Sequence, residues 1–413
     1  MRTTGRGKRV KTIVILGALD TKGEEYAFLR DRIASEGVKT LLVDTSVIQD
    51  PLIRPDIPSR DVAAAAGESL DALRAGDHRG RAVTAMAAGA SAIVKTLHRE
   101  GRLDGIIGLG GSGGTTMVTT AMQGLPIGVP KVMVSTLACG DTSRLVAGRD
   151  IVMMYPIVDI AGLNSLFTQV ASNAAGAIVG MVNKSDAPVS GVGKPVVGAS
   201  QFGVTTPCVD VARKRLEEEG IEVLPFHSAG TGGRSLEALA ADKALDGVLD
   251  VTVSEIVDDF LGGIHSAGPT RLEAAGRAGI PQVVSVGALD VCDFGPIDTV
   301  PEKFRARTLY RHNANVTVMR TDAEENRALG TRLCEKLNRA SGPVHLYLPL
   351  KGISGIDAPG KPFFDPEVDR VLFATIRENL KRDVVALHER DLHINDPAFA
   401  TEMAERLIDL LNV

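Results

Sequence analysis

The chain has 413 residues, a length that at about 150 residues per domain points to two or three domains. Hydrophobic residues make up 44% and charged residues 23%, which excludes a largely disordered or collagen-like chain. A net charge of -5 and an aromatic content of 4% argue against nucleic acid or an anionic membrane as a partner.

In chain order, a basic start (MRTTGRGKR) precedes a short apolar run over 13–19. Asp20, Lys22, Glu24 and Glu25 follow it without an A-x-A site, so it reads as a buried strand after a frayed tail rather than a signal peptide. That strand, KTIVILG, leads into an amphipathic helix over 23–36 and a second strand, KTLLVDT, the rhythm of a parallel sheet. A helix over 82–100, the strand DGIIGLG, a helix after Thr115 and the strand VPKVMVST continue it. The most apolar stretch, 165–182, contains Gln169, Ser172 and Asn173 and reads as a buried helix rather than a membrane span. Residues 184–194 (KSDAPVSGVGK) read as a linker.

Beyond the linker the pattern restarts with KPVVGAS, a helix over 208–219 and IEVLPFH. Gly17 aligns with Gly198, and Glu36-Gly37 with Glu219-Gly220. DGIIGLGGSGG aligns with DGVLDVTVSEI, and VPKVMVSTLACGD with IPQVVSVGALDVCD. Landmarks in one order indicate an internal repeat: an α/β protein of two parallel-sheet domains of related topology, 1–185 and 195–413. The cysteines Cys139, Cys208, Cys292 and Cys334 share no CxxC spacing and read as buried free thiols of a cytoplasmic protein.

The strongest chemical signal is GIIGLGGSGGTTMVTT over 105–120, an apolar strand entering a glycine-rich loop and then a helix. Phosphate needs convergent amides with no Cβ in the way and a helix N-terminus behind them. Gly110, Gly111, Gly113 and Gly114 meet the first need, while Ser112, Thr115 and Thr116 offer hydroxyls and an N-cap. Gly108-x-Gly110-x-x-Gly113 matches the dinucleotide fingerprint only formally, because the next acid, Asp141, comes 28 residues after Gly113. No Walker motif is present. Other strand ends should converge on this loop. They bring Asp20, Thr21 and Lys22 after the first strand, Asp44 after the second for a ribose hydroxyl, and Thr136, Gly140, Asp141 and Thr142 after the fourth. Asp141 is the candidate for Mg2+, since hard cations favour carboxylate plus phosphate oxygens. Cys139 has no His near it in sequence and reads as a buried thiol rather than a nucleophile.

ILGALDTKGEE, GLGGSGGTT, STLACGD and DIAGLNS, with PLKGISGID and HERDLHINDPAFA in the second half, resemble the Tm-1-like ATP-binding family across nearly the whole chain. The resemblance implies two Rossmann-like subdomains with ATP held in the first. It is the resemblance, not composition or spacing, that specifies adenine.

The second half holds six of the 8 histidines. His227, Arg234, Lys351 and His388 are its catalytic or substrate-binding candidates, with Arg234 in a Gly-rich turn (230–235) suited to an anion. Glu255, Asp258 and Asp259 stand where the glycine loop is lost. Two readings follow. One is an ATP- and Mg2+-dependent enzyme acting on a small anionic metabolite in an interdomain cleft; the other is a non-catalytic module in which ATP stabilises an interaction surface. An NAD-linked dehydrogenase is a third, weaker reading. Gly/Ala-rich faces make a homo-oligomer the base-rate expectation.

Overall fold

A computed structural model describes residues 9–76, 79–184 and 193–412. The basic tail over 1–8 and most of the linker, 185–192, lie outside the described residues. The chain divides into two compact units, Met1–Pro188 and Val189–Val413.

The described residues of the first unit form five strands, β1 (Thr12–Gly17), β2 (Lys39–Asp44), β3 (Gly105–Gly110), β4 (Lys131–Ser135) and β5 (Val152–Met154). They form one parallel sheet in the order β2-β1-β3-β4-β5. Such a sheet is covered on both faces, and β1 shows it: Ile13, Val14, Ile15 and Leu16 are all fully buried. Ile13 and Ile15 pack towards helices Gly23–Ser35 and Ser165–Lys184, while Val14 and Leu16 pack towards Arg79–Arg99 and Ser112–Gln123. Helix Ser165–Lys184 is long and apolar enough to cross a membrane, yet it lays Phe167, Ala171, Ala174, Ala175, Ile178 and Val182 against the sheet.

In this order the chain leaves β1 in one direction for β2 and in the other for β3, a topological switch point. The register shows the opening. β1 and β3 pair only as far as Ile15↔Ile107, whereas β1 follows β2 to Gly17↔Asp44 and β3 follows β4 to Gly110↔Ser135. Tyr26 fills the gap beneath. Its Oη donates to the Leu109 carbonyl at 2.6 Å, shares that proton with the Leu16 carbonyl at 3.0 Å, and accepts the Leu109 amide at 3.1 Å. Burial drives its phenol well above the usual range. A Cβ on Gly17 would stand 1.6 Å from that hydroxyl, so glycine is needed there for Tyr26 to reach across.

The second unit carries β6 (Val196–Gln201), β7 (Glu222–His227), β8 (Gly247–Thr252) and β9 (Gln282–Gly287). An antiparallel insertion follows, made of β10 (Val291–Phe294), β11 (Leu309–Arg311) and β12 (Thr317–Arg320); then come β13 (Val344–Pro349) and β14 (Val385–Arg390). The parallel sheet runs β14-β13-β9-β8-β6-β7, the first unit's order with a sixth strand added.

The related topology extends to individual bonds. The Thr12 amide donates to Asp104 Oδ2 at 2.7 Å and the Val196 amide to Asp246 Oδ2 at 2.8 Å. Gly37 (φ +78°) and Gly220 (φ +79°) end the first helix of each unit. One proposed equivalence fails. Gly17 ends β1, whereas Gly198 lies inside β6 opposite Leu224 and Val248, where a Cβ would meet Leu236 and Leu245.

Candidate functional site

A cavity of about 700 Å³ opens at the carboxyl ends of β1, β2 and β3 in the first unit. Gly110 to Gly114, with Thr21 and Lys22, form its polar end. Val47, Ile48, Leu73, Val83 and Met117 supply an apolar wall, with the Arg74 guanidinium beside it. Arg74 donates to the Gln49 carbonyl and to Asp50 Oδ1, each at 3.0 Å, which ties helix Leu70–Ala75 to the loop after β2.

The glycine loop is tighter than its sequence suggests. Helix Ser112–Gln123 begins at Ser112, ahead of the expected start after Thr115, so Gly113 and Gly114 lie in its first turn. The N-cap is Gly111, with no side-chain cap. Its carbonyl takes the first helical bond, from the Thr115 amide at 2.8 Å. The three helical amides before that have no partner within an α-helix, and they head the cavity. None of these glycines has a positive φ; what they provide is close approach. A Cβ on Gly110 would meet Gly114 Cα at 3.0 Å, whereas one on Gly111 would meet only Thr136 Oγ1 at 3.8 Å. The hydroxyls expected to cap the helix are engaged elsewhere. Thr115 is buried against Ser135, and Thr116 Oγ1 donates back to the Ser112 carbonyl at 2.9 Å.

Asp20 and Lys22 line the cavity and also organise its rim. Asp20 Oδ2 accepts the amides of Ile48 (3.0 Å) and Gln49 (3.3 Å), and the Asp20 amide donates to Ser46 Oγ at 2.8 Å. Lys22 Nζ donates to the Ile160 carbonyl, while Glu25 accepts the Gly162 amide at 2.6 Å. Asp159, whose Oδ1 accepts the Ile160 amide at 2.8 Å, faces the same cavity. Asp44, read as a ribose ligand, is fully buried and outside the lining. Its Oδ1 accepts the amides of Leu19 (3.3 Å) and Ser46 (2.9 Å) and the Ser46 hydroxyl, and burial raises its carboxyl above the usual range. It positions the loop rather than facing it. Thr136, Gly140, Asp141 and Thr142 are likewise outside the lining, although Thr136 flanks Gly111. Asp141 is exposed and its Oδ1 accepts the Ser143 amide at 2.9 Å, which lowers its carboxyl and makes it a turn former. Tyr26, Arg74, Asp159 and the apolar wall escaped the sequence reading, for their positions have no motif; Gly17 followed by a tyrosine inside the next helix was the one available signal.

In the second unit the corresponding strand ends are occupied by the chain's own charges. Glu255, fully buried, accepts the amides of Gly230 (2.7 Å) and Gly233 (3.0 Å) through Oε1, so the Gly-rich turn expected to bind an anion already holds one. Its Oε2 accepts from Arg271 Nε at 2.7 Å, and the same buried guanidinium clamps Asp250 with two bonds of 2.6 Å. Arg234 donates to the Ser266 carbonyl at 2.8 Å, pinning a loop. Lys351 is an exposed partner of Asp391 at 2.9 Å. His388 lies on the face of edge strand β14 rather than in the loop beyond its carboxyl end: its Nε2 is 2.8 Å from His345 Nδ1, and its ring stacks on Tyr347 with centroids 4.4 Å apart. Burial lowers both imidazoles, that of His345 to about 4. His227 remains exposed at the end of β7 beside Phe202, centroids 5.4 Å apart. Arg234, Lys351 and His388 therefore each have a structural partner, and His227 alone stands open.

Two parallel α/β units of one strand order, with a cavity at the switch point of the first, define a two-domain Rossmann-like protein. The models "Uncharacterised protein family (UPF0261) N-terminal domain" and "C-terminal domain" match residues 11–187 and 194–411. The chain belongs to this family, which includes the Tm-1 proteins of tomato. It is 49% identical to a UPF0261 protein of Clostridium tetani, over 97% of this chain and 99% of that one. To a UPF0261 protein of Mesorhizobium japonicum it is 45% identical, over 96% and 98%. The ToMV susceptible protein tm-1(GCR26) of Solanum lycopersicum is 37% identical over 96% of this chain, which spans 55% of the tomato protein.

Proposed function

We propose that the first unit binds an adenine nucleotide, ATP, with its phosphates at the glycine loop and its base towards the apolar wall. The observation that carries this is the cavity's two-ended character: an uncapped, glycine-rich helix N-terminus (Gly111, Gly113 and Gly114 around Ser112) at one end, and Val47, Ile48, Leu73 and Met117 with Arg74 at the other. Uncapped amides attract anions, and a phosphate there replaces the missing cap. A volume of about 700 Å³ lies within the usual range for small-molecule sites. The resemblance to a Tm-1-like ATP-binding family supports adenine as the base. Mg2+ accompanying the polyphosphate would be held mainly by phosphate oxygens, with exposed Asp159 the acid available in the lining. Four free cysteines, three of them buried as expected and Cys139 exposed against expectation because it lies in the loop after β4, fit a reducing, cytoplasmic setting.

A second reading, binding without turnover, has its own support. The Asp20 carboxylate and Lys22 ammonium already hold the loops after β2 and β5, so neither is free to act as a base or to follow charge on a transferring phosphoryl group. One experiment separates the two. The protein is titrated calorimetrically with ATP, ADP, AMP and NAD+, then incubated with ATP-Mg2+ and a panel of hydroxy and sugar acids. Saturable heat with adenine nucleotides supports the binding site, and none refutes it. Release of ADP or AMP selects the enzyme, and intact ATP selects the binding module.

A further inference from the structure

We propose that Asp258, Asp293 and His265 form a site for one divalent transition-metal ion in the second unit. The three come from two adjoining segments. Asp258 lies on helix Ser254–Leu261, His265 in the turn after it, and Asp293 on β10. One ligand atom from each lies within 4.8 Å of the other two. His265 Nδ1 is 3.5 Å from Asp293 Oδ2 and 4.0 Å from Asp258 Oδ2. A tetrahedral ion with bonds of about 2.1 Å places its ligands about 3.4 Å apart, so a small inward adjustment completes the geometry.

Burial supplies the independent argument. The Asp293 side chain is 1% exposed, yet neither of its oxygens has a hydrogen-bond partner, and the buried His265 Nδ1 has none either. Unpaired carboxylate oxygens in the interior are costly, and among the described residues no Lys or Arg pairs with Asp258 or Asp293. A doubly charged ion would balance both carboxylates and take the imidazole lone pair at once.

The surrounding backbone is built for these side chains. Asp258 Oδ1 accepts the Asp293 amide at 2.8 Å and Oδ2 the His265 amide at 2.9 Å. The turn passes so close that a Cβ on Gly263 would lie 2.0 Å from Asp258 Oδ1. His265, with 20% of its side chain exposed, offers the route in, and its ring meets Phe202 just after β6 edge-on. An imidazole among carboxylates suits zinc, manganese or iron better than magnesium, which favours oxygen ligands and keeps its water.

The test is a zinc titration of chelator-treated, nucleotide-free protein carrying Cys139→Ser, which removes the exposed thiol as a competitor. One Zn2+ per chain is expected, with Mg2+ at least about tenfold weaker. Asp293→Asn and His265→Gln should each weaken zinc binding by about 10–100-fold or more. Anomalous diffraction at the zinc edge from crystals of the unsubstituted protein should place the ion between Asp258 and Asp293. Absence of stoichiometric zinc, affinity unchanged in both variants, or density at another site overturns the proposal. None of these readouts depends on nucleotide, so the first unit's site stands or falls separately.

Discussion

Adjacent glycines in the β3 loop should respond in opposite ways to the same substitution. At Gly111 the backbone is extended (φ -80°, ψ -157°), and an added methyl meets nothing nearer than Thr136 Oγ1 at 3.8 Å. Gly111→Ala stiffens the unfolded chain, worth about 0.4–1 kcal/mol, but alanine is a poorer N-cap than glycine by a similar amount. The two offset, so stability should change by less than about 0.5 kcal/mol. The methyl nevertheless stands at the head of the cavity, where a phosphate would approach. Losing one charge-assisted bond there costs about 1.5–3 kcal/mol, or about 10–150-fold in nucleotide affinity. At Gly110 the methyl would press on Gly114 Cα at 3.0 Å and Gly114 C at 3.2 Å, both backbone atoms. Gly110→Ala should therefore lose about 1–3 kcal/mol of stability. Urea unfolding gives the stabilities and calorimetry with ATP the affinities. A Gly111→Ala protein that folds normally and binds ATP as tightly as the parent would refute the assignment of these amides to phosphate.

Arg271→Met leaves Asp250 and Glu255 buried and uncompensated, and should lower second-unit stability by about 3–5 kcal/mol in urea titration; a loss under about 1 kcal/mol would show that the carboxylates find other partners. Tyr26→Phe orphans the buried Leu109 amide and carbonyl at a cost of about 1–3 kcal/mol, and unaltered stability would mean water replaces the hydroxyl. Since burial, His388 and Arg406 hold His345 at about 4, below the 6.5 of the free imidazole, the folded state binds fewer protons than the unfolded one between those values. Stability is thus fully present above about pH 6.5 and falls towards pH 4; His345→Gln should flatten that slope, and an identical slope would assign it to other groups.

The fold was legible because its signals are periodic and long. KTIVILG and DGIIGLG can hardly be anything but strands buried on both faces, and the glycine-ended helices at Gly37 and Gly220 mark the repeat. Helices Ser59–Ala65 and Leu70–Ala75 were not read, being too short and alanine-rich to show an apolar period. In the candidate site, polar residues at strand ends were identifiable by type but not by direction. Asp20 and Asp44 both follow strands of one sheet, yet one faces the cavity and the other is buried behind it. That difference rests on a two-residue turn in which Ser46 bonds to both, a three-dimensional fact with no sequence period. Histidines misled for a related reason. His388 lies in a motif-like run, HERDLHIND, but alternation along β14 sets its ring on the sheet face against Tyr347 and His345.

The two units treat one electrostatic problem differently. A helix following a strand at the switch point presents unpaired amides and the positive end of a dipole. In the first unit, helix Ser112–Gln123 keeps that end uncapped, and Gly110 and Gly111 hold side chains away from it. In the second, the counterpart helix after β8, Ser254–Leu261, also lacks a side-chain cap, but its own Glu255 holds the amides of Gly230 and Gly233 at the start of the neighbouring helix after β7, and Arg271 balances that charge. A carboxylate supplied by the chain cannot dissociate, so the arrangement at Gly230 and Gly233 is permanent, whereas under the proposed function the first unit's loop would be completed by a bound anion. On that proposal, binding energy would go into the loops tied by Asp20, Lys22 and Arg74. Had both units kept the glycine loop, the internal repeat would imply two equivalent sites; with Glu255 and Arg271 there instead, the proposed function assigns ligand-dependent order to the first unit.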